Sequence, residues 1–188
     1  MAEEELNDLI KRCVKGDRRA QESLYQAFYG RMMGVSLRYT RNRDQAEDIV
    51  QDAFLKIFAS LERYDFKGSF EGWVRRIVVN TAIDMFRKKK NDFILLGNDQ
   101  SVEDYAEVED QTEEDDDSLP QFKASQVIEA MTSLSPAYQT IFNLYVFEKM
   151  THQQIADKLG ISSGTSKSNY AKAKRNLKKI LINKYMNK

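Results

Sequence analysis

The sequence predicts an all-α protein in which an acidic, flexible linker joins two small helical domains. The chain of 188 residues contains only two prolines, and its apolar residues recur at helical spacing without the alternation of strands. Charge is unevenly distributed, because residues 91–120 carry 12 acidic side chains and no basic one. We therefore predict helical domains over residues 1–92 and 123–188, with residues 93–122 as the linker.

Four helices are expected in the first domain. The first covers about residues 4–15, and Asp17 can cap the second. The third begins at Asp44, which opens a sequence similar to a capping box. Ser69 caps the fourth helix, which extends to about Lys90. The single cysteine, Cys13, shares a helical stripe with apolar residues and is expected in the core.

The linker is too acidic and too polar to fold by itself. In "SVEDYAEVEDQTEEDDDS", ten of eighteen residues are acidic, and the few apolar ones cannot offset the entropy of ordering. The segment lacks the alternating ligands and central glycine of a calcium-binding loop. It is expected to be a solvated tether, and competition with DNA for basic surfaces is a further hypothesis. We expect no metal and no cofactor.

The second domain contains the pattern of a helix-turn-helix. Ser135 and Pro136 begin one helix, and Thr151 begins the next with a capping box. Gly160 ends that helix and Ser162 starts the last one, so two short helices meet at a tight turn. In the helix after Pro136, the residues expected to face inward are Ile141, Phe142, Leu144 and Tyr145.

The last helix has one apolar stripe and one basic stripe. The segment "LGISSGTSKSNYAKAKRNLKK" has six basic residues and no acidic one, and it lacks the strand and spacing of a P-loop. In a helix-turn-helix, such a helix enters the major groove of DNA. The residues expected to reach base edges are Lys167, Ser168, Ala171 and Lys172. Those expected to meet phosphates are Thr165, Lys174, Arg175 and Lys178. An inert basic surface is the alternative.

A second group of residues in the first domain suits unpaired DNA. Four side chains share one face of the fourth helix: Trp73, Arg76, Asn80 and Arg87. Aromatic and guanidinium planes stack on unpaired bases, and an amide can hydrogen-bond a base edge. Periodicity alone is equally compatible with a core position for Trp73.

Two long segments, one in each domain, carry a resemblance to a known family: "AEDIVQDAFLKIFASLERYDFKGSFEGWVRRIVVNTAIDMFRKK" and "LSPAYQTIFNLYVFEKMTHQQIADKLGISSGTSKSNYAKAKRNL". This resemblance is to the extracytoplasmic-function (ECF) sigma factors, the small two-domain class of bacterial RNA polymerase initiation factors. It covers nearly the whole chain except the linker. It implies a cytoplasmic protein that is not an enzyme and whose partners are core polymerase, promoter DNA and an anti-sigma factor. The chain has no apolar run long enough for membrane insertion.

The resemblance also implies roles for particular residues. "DIVQDAF" is similar to the segment that docks on polymerase, and its candidate residues are Asp48, Gln51, Asp52 and Phe54. Leu55, the next residue, is a further candidate because it shares a helix face with Asp48, Gln51 and Asp52. Without the resemblance, this polar face reads as solvated. "RYDFKGSF" is similar to the loop that captures a base flipped from the minus-ten element, with candidates Tyr64, Phe66 and Lys67. Asn80 corresponds to the contact with the extruded base, and Trp73 and Arg76 are expected near the point of strand separation.

Two positions depart from the family pattern of the recognition helix. Ser166 replaces a buried branched side chain, and its hydroxyl is expected to bond back to a helix carbonyl. Asn169 removes a charge that would meet a phosphate. Both changes affect the expected strength of duplex binding.

Two other functions fit part of the sequence. A self-sufficient helix-turn-helix regulator explains residues 135–180 but leaves "DIVQDAF" and the face of Asn80 unexplained. A nuclease that uses the acidic run would lack a rigid scaffold for its carboxylates. The only histidine, His152, is expected on a helix surface rather than in a catalytic site.

Overall fold

The computed structural model describes residues 3–95 and 122–186, and within these two ranges the chain is helical without a strand. The predicted all-α class is confirmed. Eight α-helices occur in the described ranges: α1 Glu3–Val14, α2 Arg18–Ser36, α3 Arg43–Ser60, α4 Phe70–Leu95, α5 Ala124–Met131, α6 Pro136–Val146, α7 His152–Leu159 and α8 Ser163–Tyr185. A 3₁₀ turn, Leu61–Arg63, follows α3.

Most helix starts lie where polar capping residues predict them. The side chains of Asp17, Ser135, Thr151 and Ser162 each accept a hydrogen bond from a backbone N–H in the first turn of α2, α6, α7 and α8. These bonds satisfy donors that the helix itself leaves unpaired.

The predicted start of α3 is wrong by two residues. Asn42, with an extended backbone, is the N-cap, and its Oδ1 accepts from Gln45 N at 2.9 Å. Asp44 lies inside the first turn instead, where its negative charge is favourable beside the helix N-terminus. Both residue types cap well, and the backbone conformation of Asn42 decides between them.

The first four helices enclose one apolar core. Residues from α1 to α4 that are almost fully buried include Ile10, Leu24, Ile49, Ile57 and Val78. Cys13 is buried there as expected, and burial raises the pKa of its thiol to about 11. The fourth helix extends to Leu95, beyond its predicted end at Lys90.

The C-terminal helices have a second core of their own. Met131, Leu134, Leu177 and Leu181 pack together there, and all four are buried. Tyr145 was expected to face this interior, but 37% of its surface is exposed. Its ring instead stacks on His152, with a centroid separation of 4.6 Å.

The two halves of the chain pack against each other. Ile141, Leu144 and Ile155 are buried in the core cluster that the first four helices form. Sequence patterns predict which face of a helix is buried, but not that α6 and α7 cover the first domain. This packing brings α7 against the face of α4 that carries Asn80.

The predicted linker lies mostly outside the described residues. Its tether role therefore stays a prediction, as do the domain boundaries at residues 92 and 123. Among the described residues, no helix is both long and apolar enough to cross a membrane.

Candidate nucleic-acid interface

The basic stripe of α8 faces solvent. The buried residues of this helix are Ser166, Ala173, Leu177 and Leu181, so the basic residues lie on the opposite, exposed side. The residues of α8 predicted to meet DNA are all exposed or half-exposed: Thr165, Lys167, Ser168, Ala171, Lys172, Lys174, Arg175 and Lys178. The structure thus gathers them on one surface, where Lys174 also lies over the ring of Tyr170 at 5.6 Å.

Local hydrogen bonds fix the start of α8 after the turn. Gly160 ends α7 in the left-handed conformation, with φ +67°, which glycine adopts without steric cost. Ser162 Oγ accepts from Thr165 N at 2.9 Å and lies 2.8 Å from Thr165 Oγ1. The hydroxyl of Thr165 is therefore held in place beside the predicted phosphate contacts.

His152 and Ser166 join the two helices of the motif. Nδ1 of His152 lies 3.0 Å from Oγ of Ser166, which is fully buried. The hydroxyl of Ser166 was expected to bond to a carbonyl of its own helix. In the structure it contacts His152 of the neighbouring helix α7 instead. His152 is half-buried against the rings of Tyr145 and Tyr170, not a free surface residue as predicted. Burial, and then the charge of Lys167, lowers its pKa.

The four residues predicted to share a face of α4 have different environments. Arg76 and Arg87 are exposed, and Asn80 is half-buried. Trp73 is half-buried in an aromatic cluster, with ring centroids 5.7 Å from Phe70 and 5.6 Å from Tyr64. The surroundings of Trp73 are therefore mostly those of a core residue, which is the alternative that periodicity left open.

Only two of the three residues predicted to contact minus-ten DNA from the loop before α4 lie at the surface. Tyr64 is buried, and its hydroxyl donates to Gly68 O at 2.9 Å. Phe66 is 43% exposed and adopts a positive φ of 57°, which is uncommon for a bulky residue. Lys67 is exposed beside it. Tyr64 therefore braces the loop from inside, whereas Phe66 and Lys67 project from it.

An open cavity of about 430 Å³ lies between α3 and α4 and includes Asn80 in its wall. Its lining residues are Lys56, Ala59, Ser60, Arg63, Ile77, Asn80, Thr81 and Asp84. Lys56 Nζ donates to Thr81 Oγ1 at 3.2 Å. Sequence reasoning missed Lys56 and Arg63 because helical periodicity does not show which residues of α3 border α4.

The exposed face of α3 combines polar residues with one apolar residue. Asp48, Gln51 and Asp52 are exposed, and Leu55 is 70% exposed. Phe54 was predicted to belong to the same docking surface, but only 3% of it is accessible. Its ring packs edge-on against Tyr25 at 4.7 Å. The structure therefore places Phe54 in the core, because it points about 100° away from Leu55 around the helix, toward the side that also buries Val50 and Ile57.

Comparison with known proteins gives matches to both halves of the chain. The family models for Sigma-70 region 2 and for Sigma-70, region 4 match residues 24–91 and 124–177. The ECF RNA polymerase sigma factor SigW of Bacillus subtilis is 26% identical over 176 residues, which cover 92% of this chain and 94% of SigW. The RNA polymerase sigma-H factor of Pseudomonas aeruginosa is 23% identical over 192 residues, covering 96% of each chain.

A solved structure of the sigma factor RpoE in complex with the anti-sigma factor NepR, from Bartonella quintana, aligns with a TM-score of 0.49 and 17% identity. The alignment covers 85% of this chain and 95% of that one. The two family models match in the expected order and together take in more than half of the chain. The chain belongs to the sigma-70 family of RNA polymerase sigma factors, in its ECF class, and directs promoter-specific transcription.

Proposed function

We propose that this sigma factor works through three surfaces, one for core polymerase and two for promoter DNA. In this proposal residues 1–92 form sigma domain two, residues 93–122 the linker and residues 123–188 sigma domain four. The observation that carries the proposal is the ordered match of both sigma regions on a fold that leaves the basic face of α8 exposed.

The exposed face of α3 is the proposed polymerase contact. Leu55 presents an apolar side chain with little support from its own chain, while Asp48, Gln51 and Asp52 surround it with polar groups. A central apolar residue with a polar rim is the usual composition of a protein interface. Phe54 would contribute by holding α3 in the core, not by touching polymerase.

The exposed face of α8 is the proposed reader of duplex DNA at the minus-thirty-five element. Lys167, Ser168, Ala171 and Lys172 lie in the first half of the helix, which enters the major groove in this motif. The contacts expected to phosphate are Thr165, Lys174, Arg175 and Lys178, and they position the helix without specifying sequence. Because these contacts displace counterions, binding should weaken as salt rises.

The face of α4 and the preceding loop are the proposed holder of melted minus-ten DNA. Phe66 offers a surface for stacking, and Asn80 presents an amide at the edge of the cavity. Arg76, Arg87 and Lys67 supply positive charge for the backbone. These contacts would offset the cost of unstacking a base, which is a few kcal/mol per step. The chain itself does no covalent chemistry in this proposal, because the polymerase core supplies catalysis.

The resemblance extends the proposal to location and control. We infer that the chain acts in the bacterial cytoplasm, where core polymerase and promoter DNA are found. We also infer that an anti-sigma factor controls it from outside its own sequence. Copurification of a bound inhibitor from the native host, released when the regulon is induced, would be the expected observation.

Two substitutions separate the DNA surfaces. Lys172→Ala should weaken duplex binding by about 1–3 kcal/mol if it contacts a base edge. Asn80→Ala should leave binding to core polymerase intact but slow promoter opening. The measurements are fluorescence anisotropy with duplex promoter over a salt series, and a fluorescent base at the melted position, both with core polymerase present.

Lys123→Ala is a matched control, since Lys123 is an exposed lysine at the N-cap of α5 and belongs to neither predicted DNA surface. It should behave as wild type in both assays. Normal opening by Asn80→Ala would contradict the role given to the α4 face. Tight operator binding without polymerase would favour the self-sufficient regulator instead.

A further inference from the structure

We propose that the corner between α1 and α2, residues 11–19, binds the phosphate backbone of the melted promoter strand beside the loop that carries Phe66. This inference extends the proposed minus-ten surface and therefore rests on the proposed function. The family model for Sigma-70 region 2 begins to match at residue 24, so the corner lies outside the matched segment. None of the residues assigned to DNA above belongs to it.

The corner is a strongly basic surface. Five of its nine residues are Lys or Arg and only Asp17 is acidic, and all five basic residues are exposed. Arg12 is paired with Asp17 at 2.7 Å. Within the described ranges the other four form no ion pair: Lys11, Lys15, Arg18 and Arg19. A surface with this excess of positive charge attracts anions.

Local bonds hold the corner in one shape. Arg12 donates from Nε and Nη2 to Asp17 Oδ2 at 3.0 and 2.7 Å. Asp17 Oδ1 accepts from the backbone N–H groups of Arg19 and Ala20. Gly16 adopts φ +80°, a conformation that glycine reaches without steric cost. The cations that are not paired with Asp17 are therefore presented by a braced turn.

Helix electrostatics account for only part of this charge. Lys11 lies in the last turn of α1, where the helix macrodipole favours a cation. Arg18 and Arg19 instead open α2, whose first turn contains no acidic residue. The macrodipole disfavours positive charge at that end of a helix. Two cations that the fold itself does not stabilise indicate an anionic partner at the corner.

Lys11 joins the corner to the loop before α4. Its Nζ lies 6.0 Å from the centre of the Phe66 ring, and α1 packs against the 3₁₀ turn Leu61–Arg63 that leads into this loop. A base stacked on the exposed ring of Phe66 would therefore leave its phosphate near an ammonium group. Lys15 lies one turn further along the same side of α1, so the basic surface continues away from the ring.

The side chains of the corner fit a nucleic-acid backbone. The nine residues include no aromatic and no amide side chain, the groups that provide a stacking platform or read an adenine edge. Lysine and arginine on an open surface bind phosphate, which positions a strand without specifying its sequence. The corner should therefore add affinity for melted DNA that is independent of sequence and falls as salt rises.

The test uses holoenzyme, formed from core polymerase and the full-length chain, with a promoter probe whose minus-ten region is a pre-melted bubble. Fluorescence anisotropy over a salt series compares the wild type with the triple variant Lys11→Gln/Arg18→Gln/Arg19→Gln. For single strands, each lost phosphate contact reduces the slope of log affinity against log salt by about 0.7. The triple variant should therefore bind about 50-fold more weakly near 0.15 M salt, and as well as the wild type near 1 M salt.

Two controls separate a phosphate contact from other effects. Lys123→Gln removes one exposed charge that belongs to no proposed DNA surface, and it should leave the salt slope unchanged. Thermal unfolding should show the triple variant to be as stable as the wild type or slightly more stable, because two cations leave the N-terminus of α2. A less stable variant that keeps the wild-type salt slope would overturn the proposal, since the basic residues would then serve the fold.

The remaining outcomes distinguish this inference from the proposed function. An unchanged salt slope in the triple variant, with normal binding of the probe by the wild type, would overturn this inference alone. Weaker binding of the variant to core polymerase without DNA would also overturn it, because the corner would then contact an acidic protein surface. Failure of the wild-type holoenzyme to bind the probe would overturn the proposed function, and this inference with it.

Discussion

His152 links the stability of the helix-turn-helix to pH. The groups that face it are Ser166, whose hydroxyl lies 3.0 Å from Nδ1, the rings of Tyr145 and Tyr170, and the charge of Lys167. Burial and Lys167 both disfavour the charged imidazole and lower its pKa from the usual 6.5. The folded chain therefore prefers the neutral ring.

We predict that acidification destabilises the wild type more than His152→Gln. The unfolded chain binds a proton on His152 at higher pH than the folded chain, so this residue's contribution is full above about pH 6.5 and is lost as pH falls toward the folded pKa. Urea unfolding of both proteins at pH 7.5 and pH 5 gives the two differences in free energy. An equal loss in wild type and variant would show that His152 does not titrate in this way.

A double-mutant cycle tests the contact between His152 and Ser166. The hydrogen bond should contribute about 1 kcal/mol of coupling between His152→Ala and Ser166→Ala. The free energies of unfolding of the two single variants and the double variant give this coupling directly. Additive effects would mean that the two side chains pack independently and that the 3.0 Å contact contributes little.

At the scale of elements, two adjacent residues of α3 have different surroundings. Phe54 lies in the core, and Leu55 lies on the proposed docking surface. Phe54→Ala should destabilise the fold by about 3–5 kcal/mol, because it removes a buried ring. Leu55→Ala should change stability by less than about 0.5 kcal/mol yet weaken binding to core polymerase. Denaturant unfolding and a polymerase binding titration measure the two effects. A reversed pattern would refute the orientation of α3.

The turn between α7 and α8 offers a matched pair of glycines. Gly160 has a positive φ, so Gly160→Ala should cost about 1 kcal/mol or more of stability. Gly164 lies in the first turn of α8, where a Cβ would meet only Ser162 side-chain atoms at an ordinary 3.6 Å. Gly164→Ala should therefore be neutral or slightly stabilising. Thermal unfolding compares the two, and equal destabilisation would contradict the assigned turn.

Capping chemistry made most helix starts predictable, and tertiary contacts explain the exceptions. Asp17, Thr151 and Ser162 cap helices because their side chains reach backbone donors within the same turn, which sequence alone reveals. Tyr145 was expected inside because it lies near the apolar stripe of α6. In the structure Tyr145 is partly exposed and stacks on His152, a neighbour that periodicity cannot identify.

At the scale of the whole molecule, the basic face of α8 was predictable, but the contact between the halves was not. The lysines of α8 share a face by helical spacing alone. Glu148 and Arg75, however, are 73 residues apart, and neither the charge nor the hydropathy of their segments indicates a pairing. The same holds for Lys56 and Arg63 in the cavity beside Asn80, which two helices form together.

Reconstituted transcription tests the central claim most directly. Purified bacterial core polymerase, this chain and a genomic DNA library are combined at mild salt, and the transcription start sites are mapped. We predict a stable complex with core polymerase and a discrete set of start sites that share minus-ten and minus-thirty-five sequences. No complex with core, or start sites identical to those of core polymerase alone, would contradict the account.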